Sequence, residues 1–132
     1  LRISVGGRSV HFQTMDMWKN IRLELGRTDE FPAGSVSRGY LLRLPLDADG
    51  TIDRAALQLH PHRAKVRRYW STEPDEAGEV LATQDAWELR CDGRPARMLD
   101  LGGQQIRVGQ LVSVLEPDGT TLPFTIASVR DA

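Results

Sequence analysis

The feature that most constrains this chain is a period of two in its apolar residues, repeated in short runs and cut by turn residues. In the run Ile21, Leu23, Leu25 the apolar side chains alternate with Arg22 and Glu24. In Tyr40 to Leu46, Leu42, Leu44 and Leu46 alternate with Arg43 and Pro45. A repeat of two puts successive side chains on opposite faces, which is the signature of strands with one wet side. A helix over residues 21–25 would spread the same three apolar side chains around its surface. The strongest single signal is Pro117-Asp118-Gly119-Thr120 between Leu111–Glu116 and Leu122–Val129. There Pro presets φ and Gly accepts a positive φ, so the two runs read as a hairpin.

Other segments follow the same logic. Ala64, Val66, Arg68 and Trp70 fall on one face of a strand, and Lys65, Arg67 and Tyr69 on the other. Arg68, turned inward, needs a carboxylate such as Asp85 or Glu88. Trp87 and Leu89 form a further short strand ending at Asp92-Gly93. Pro45 has no N–H for a ladder and is expected at an edge or a bulge. Residues 28–39 read as a long loop, and Glu73 to Glu79 as an acidic turn before Val80 and Leu81. Asp47-Ala48-Asp49-Gly50 is a turn, and Asp53 caps a short helix over residues 54–59 that Pro61 stops. Residues 1–14 alternate around Gly6-Gly7 and read as an added hairpin or an extension before Met15 or Met17. Strands at this spacing predict a mainly β fold: a small antiparallel β-barrel or rolled sheet of roughly six to eight strands with one short helix.

Composition closes off several classes. At 132 residues the chain is the size of one domain, with 17 Lys and Arg against 18 Asp and Glu, so no global field marks it for nucleic acid. No long apolar run spans a membrane, and the first residues lack the apolar stretch of a secretory signal. One cysteine, Cys91, has no partner in the chain for a disulfide, which fits a reducing compartment. The expected location is therefore the cytoplasm.

The pieces LELGRTDEFPAGS, GYLLRLPLDADGTID, AKVRRYW, EPDEAGEVL and LVSVLEPDGTTLPFTIASV resemble a family of small uncharacterised alphaproteobacterial proteins. The resemblance covers roughly residues 18–130 and leaves out the first fourteen. It implies a stand-alone bacterial cytosolic domain and carries no catalytic residues with it.

The chemistry offered by the side chains is sparse. Residues 63–70, RAKVRRYW, form a basic strand with aromatics, and its outward set Lys65, Arg67 and Tyr69 is what single-stranded nucleic acid needs: cations for phosphates and a ring for bases. The plainer reading is a solvated outer face. His60 and His62 would leave the same side of an extended segment, which is metal-ligand spacing that His11 or a carboxylate would have to complete. A turn after the helix explains them as well. The Asp47-x-Asp49-Gly50 pattern lacks the first and twelfth oxygens of a calcium loop. Cys91 has no local nucleophile signature, and Gly6-Gly7 and Gly102-Gly103 lack a phosphate-loop context. No catalytic constellation, cofactor site or metal site is predicted. Trp18 falls by parity on the face opposite Ile21, where it reads either as an exposed protein-contact anchor or as a strand end at which the parity breaks. The sequence thus favours a non-enzymatic binding module with an unknown protein partner. Single-stranded nucleic acid on residues 63–70 is the alternative, and a metal or enzymatic site around His60, His62 and Cys91 is third.

Overall fold

A computed structural model of the chain describes residues 17–84, 86–101 and 105–132. Eight strands follow one another around a closed antiparallel barrel. They are β1 (Trp18–Leu25), β2 (Ser35–Pro45), β3 (Lys65–Trp70), β4 (Glu73–Ala82), β5 (Trp87–Cys91), β6 (Arg97–Asp100), β7 (Leu111–Leu115) and β8 (Thr121–Asp131). Each strand pairs with its sequence neighbours, and β1 closes the ring on β8. Between β2 and β3 lie the helix α1 (Arg54–Leu59) and a single 3-10 turn, Pro61–Arg63. The barrel and its one short helix match the fold class that the alternation predicts.

An eight-stranded barrel has an interior just wide enough to be filled by side chains. Here the inward positions do fill it: Ile21, Leu23, Leu42, Leu44, Leu89, Leu99, Val114, Phe124 and Ile126 are essentially inaccessible. Full burial of one such side chain contributes about 1.5–3 kcal/mol. Tyr40 and Phe124 meet edge to face with ring centroids 5.3 Å apart inside this core.

The helix forms where expected. Asp53 accepts a hydrogen bond from Ala56 N at 3.0 Å, and Ala56 is the residue α1 buries. The Asp47 turn also forms, with Asp47 Oδ1 accepting from Asp49 N and Thr51 N. Gly119 takes φ +89° in the predicted β7–β8 hairpin, the conformation its neighbours cannot reach cheaply.

Four expectations are corrected. Glu73–Glu79 is not a turn but most of β4, with only Ser71-Thr72 left as the reversal. Its period of two is hidden because the inward positions include Glu76 and Gly78 rather than apolar residues. The expected loop 28–39 ends early, since β2 starts at Ser35. Pro45 lies at neither an edge nor a bulge: the barrel is closed, and Pro45 is the last residue of β2, opposite Trp18, where the ladder stops anyway. Arg68 is turned inward as expected, but its partners are Glu73 and Glu76 across the hairpin. Glu88 pairs instead with Arg90. The readings on residues 1–14, His11, Asp85 and Gly102-Gly103 lie outside the described residues.

Candidate functional site: a cationic groove on the barrel wall

The predicted contact residues sit on the outer wall formed by β1 to β4. Register places them in cross-strand rows, because residues of matching parity on adjacent strands share a face. One row runs Arg130, Asn20, Arg43, Lys65, Glu79 and Arg90. The row beside it runs Ser128, Arg22, Leu41, Arg67 and Ala77. Between the two rows lies a groove of about 400 Å³ whose lining includes Asn20, Leu41, Arg43, Lys65, Arg67 and Ala77.

The electrostatics of this groove are uneven. Lys65 is exposed and shares Glu79, at 3.3 Å, with His62 at 3.4 Å. These hydrogen bonds, that from His62 first, hold the Glu79 carboxyl below its ordinary range. Arg43 and Arg67 are exposed and have no carboxylate partner among the described residues. Arg43 and Lys65 face each other directly across β2 and β3, an arrangement of like charges that costs stability in an isolated sheet. The groove therefore combines an apolar floor at Leu41 and Ala77 with cations that the fold leaves unneutralised.

Tyr69 is brought to the same face but plays another part. It lies half-buried opposite Gly39, and its hydroxyl donates to Leu23 O at 2.8 Å. A Cβ on Gly39 would come within 1.9 Å of Leu23 O and 2.6 Å of the Tyr69 hydroxyl, so the bare glycine is what lets the ring cross. The Arg22 guanidinium covers the ring at 4.5 Å from its centroid. A base would stack on Tyr69 only by displacing Arg22.

Trp18 does not stand on the polar face. It is 1% exposed, and the parity of β1 breaks at its first residues. The ring turns under the end of the barrel, where the Arg63 guanidinium covers it at 4.5 Å. The expectation of an exposed anchor is corrected on that ground.

The two histidines do not share an extended segment, because Pro61–Arg63 is a 3-10 turn and His60 ends α1. Among the described residues no three His, Cys, Asp or Glu side chains assemble into a set that could hold a metal ion. Cys91 is buried, and that burial pushes its thiol above the usual range.

Sequence reasoning missed a second polar assembly inside one end of the barrel. Arg68 bonds Glu73 at 2.9 Å and Glu76 at 3.4 Å. Arg97 bonds Glu76 at 3.2 Å and Glu116 at 3.0 Å. Tyr40 donates to the other oxygen of Glu116 at 3.1 Å. Burial, aided by the Glu116 charge, drives the Tyr40 hydroxyl far above the ordinary tyrosine range. Two guanidinium groups face three carboxylates, with Arg68 Nε left buried without a partner among the described residues, and the assembly fills one end of the barrel. Two signals were available: Arg68, read as turned inward and needing a carboxylate, and Arg97, a charge on the same strand face as Leu99.

No protein-family model, curated protein or solved structure matches the chain. Among the described residues no helix is long and apolar enough to cross a membrane.

Proposed function

We propose that this protein is a non-enzymatic interaction module that holds an acidic, extended segment of a partner protein in the groove on β1 to β4. The observation that carries this reading is the pair Arg43 and Arg67, exposed on the rim of a concave surface with no carboxylate partner among the described residues. An apolar floor between cations suits a peptide that alternates acidic and apolar side chains, since charges steer and apolar contact adds affinity. The charge is local, consistent with a net charge of -1 for the whole chain.

Single-stranded nucleic acid is the second reading, favoured by the same cations and by Lys65. It is weakened by Tyr69, whose ring is already covered by Arg22. The bacterial family suggested by the sequence, and a cytoplasmic location, fit either reading and remain part of this proposal.

The test is a fluorescence-anisotropy titration with a labelled Glu/Leu peptide and with labelled single-stranded DNA and RNA, at low and moderate salt. Peptide binding should weaken with salt. It should fall by about tenfold for each charge-assisted contact removed in Arg43→Gln and Arg67→Gln. Tighter binding of the oligonucleotides than of the peptide would hand the groove to the second reading. No binding of either probe would refute both.

A further inference from the structure

A second concavity, of about 390 Å³, lies between α1 and β4 and is separate from the cationic groove. Its volume falls in the range of small-molecule sites. Leu57, Pro61, Val80, Leu81 and Ala82 give it an apolar lining, and polar groups enter only from Arg54, Gln58, His62 and Glu79. The two ends differ in charge. Arg54 places its guanidinium 4.8 Å from the Trp87 ring centroid, and Trp87 is the register partner of Ala82. Arg54 has no carboxylate partner among the described residues. Three residues back along β4, roughly 10 Å away, Glu79 holds an ionised carboxylate that accepts from His62 and Lys65.

From this polarity we infer that the α1–β4 groove binds a small monocarboxylate with an apolar body. The carboxylate pairs with Arg54 at the Ala82 end, and the apolar body lies over Leu57, Val80 and Leu81. Glu79 closes the far end to a second acid, so a dicarboxylate of the same length is rejected by like-charge repulsion. A cationic amphiphile is repelled by Arg54 at the near end, and at the far end it finds Glu79 already paired with His62 and Lys65, so it binds more weakly. Planar guanidinium recognises a carboxylate through two parallel hydrogen bonds, and stacking on Trp87 holds the fork in place. The groove is distinct from the proposed peptide site, so this inference stands or falls without it.

The experiment is a titration of the full chain with octanoate, followed by methyl chemical shifts of Leu57, Val80 and Leu81 and by Trp87 fluorescence. Octylamine and octanedioate serve as the charge controls. Saturable shifts with octanoate, weakened about tenfold in Arg54→Gln, are expected. Ala82→Glu, at an exposed groove position, should weaken octanoate binding as well while leaving the melting temperature in place. Three results would each overturn the inference: no saturable methyl shift with octanoate, equal binding of octylamine, or unchanged octanoate affinity in Arg54→Gln.

Discussion

Replacing Arg97 with Met tests the polar plug of the barrel. Arg97 is 9% exposed, and its guanidinium is shared by Glu76 and Glu116 at 3.2 and 3.0 Å. Met keeps much of the volume and removes the charge. Among the described residues Glu116 then retains Tyr40, and Glu76 the longer contact from Arg68 at 3.4 Å. Removing one partner of a buried ion pair costs about 3–5 kcal/mol, because the remaining charge stays desolvated. For 132 residues the unfolding entropy is on the order of 0.28 kcal/mol/K, so the melting temperature should fall by about 11–18 °C. Circular dichroism through urea and thermal unfolding measures both quantities. A second substitution, Glu116→Gln, removes the orphaned charge and keeps an acceptor for Tyr40, so the double variant should recover part of the loss. A loss under about 1 kcal/mol, or strictly additive effects of the two substitutions, would refute the idea that these groups act as one unit.

The other predictions concern single side chains. Tyr40→Phe removes a hydrogen bond to a charged acceptor and should cost about 1.5–3 kcal/mol in urea unfolding, with no change in peptide affinity. Gly39→Ala should destabilise more than Tyr69→Phe, because its Cβ collides with Leu23 O whereas the phenylalanine only loses one bond; comparison of their denaturation midpoints decides this. Glu79 has a depressed pKa when folded, so what its contacts add is present above the ordinary glutamate range and lost as pH falls through the lowered value. Glu79→Gln should remove that part of the acid limb of unfolding and, by freeing Lys65, tighten binding of the acidic peptide. Cys91 should be inert to a thiol reagent in the native protein at mildly alkaline pH and react at the rate of opening; immediate labelling would contradict its burial.

What was legible in the sequence follows from how strand periodicity arises. Ile21, Leu23 and Leu25, or Leu42, Leu44 and Leu46, carry the alternation in apolar residues, and those strands form where the alternation predicts. The strands around the polar plug do not. In β4 the inward set includes Glu76 and Gly78, and in β6 it includes Arg97, so an apolar search passes over both. Arg68 meets Glu73 and Glu76 across a single hairpin, but Arg97 meets Glu76 and Glu116, and Tyr40 meets Glu116, from farther along the chain, and those pairings leave no local mark. The outward set Lys65 and Arg67 was legible from strand parity, whereas Arg43 joined it only through register. Tyr69 shows the reverse case. Its type and parity suggested a stacking platform, but the crossing over Gly39 and the cover of Arg22 depend on a neighbouring strand pair that no single run encodes. Trp18 is a related case: parity alone does not choose between an exposed anchor and a strand end where alternation breaks, and the buried ring is the second.

The central claim is that the cationic groove is the contact surface. Its most direct test is a backbone amide shift map of the isotope-labelled protein during titration with the acidic Glu/Leu peptide. The account predicts saturable shifts confined to Asn20, Leu41, Arg43, Lys65, Arg67 and Ala77 and their immediate neighbours, and their loss in the Arg43→Glu/Arg67→Glu double variant. Shifts centred elsewhere on the barrel, or the same map in the double variant, would contradict it.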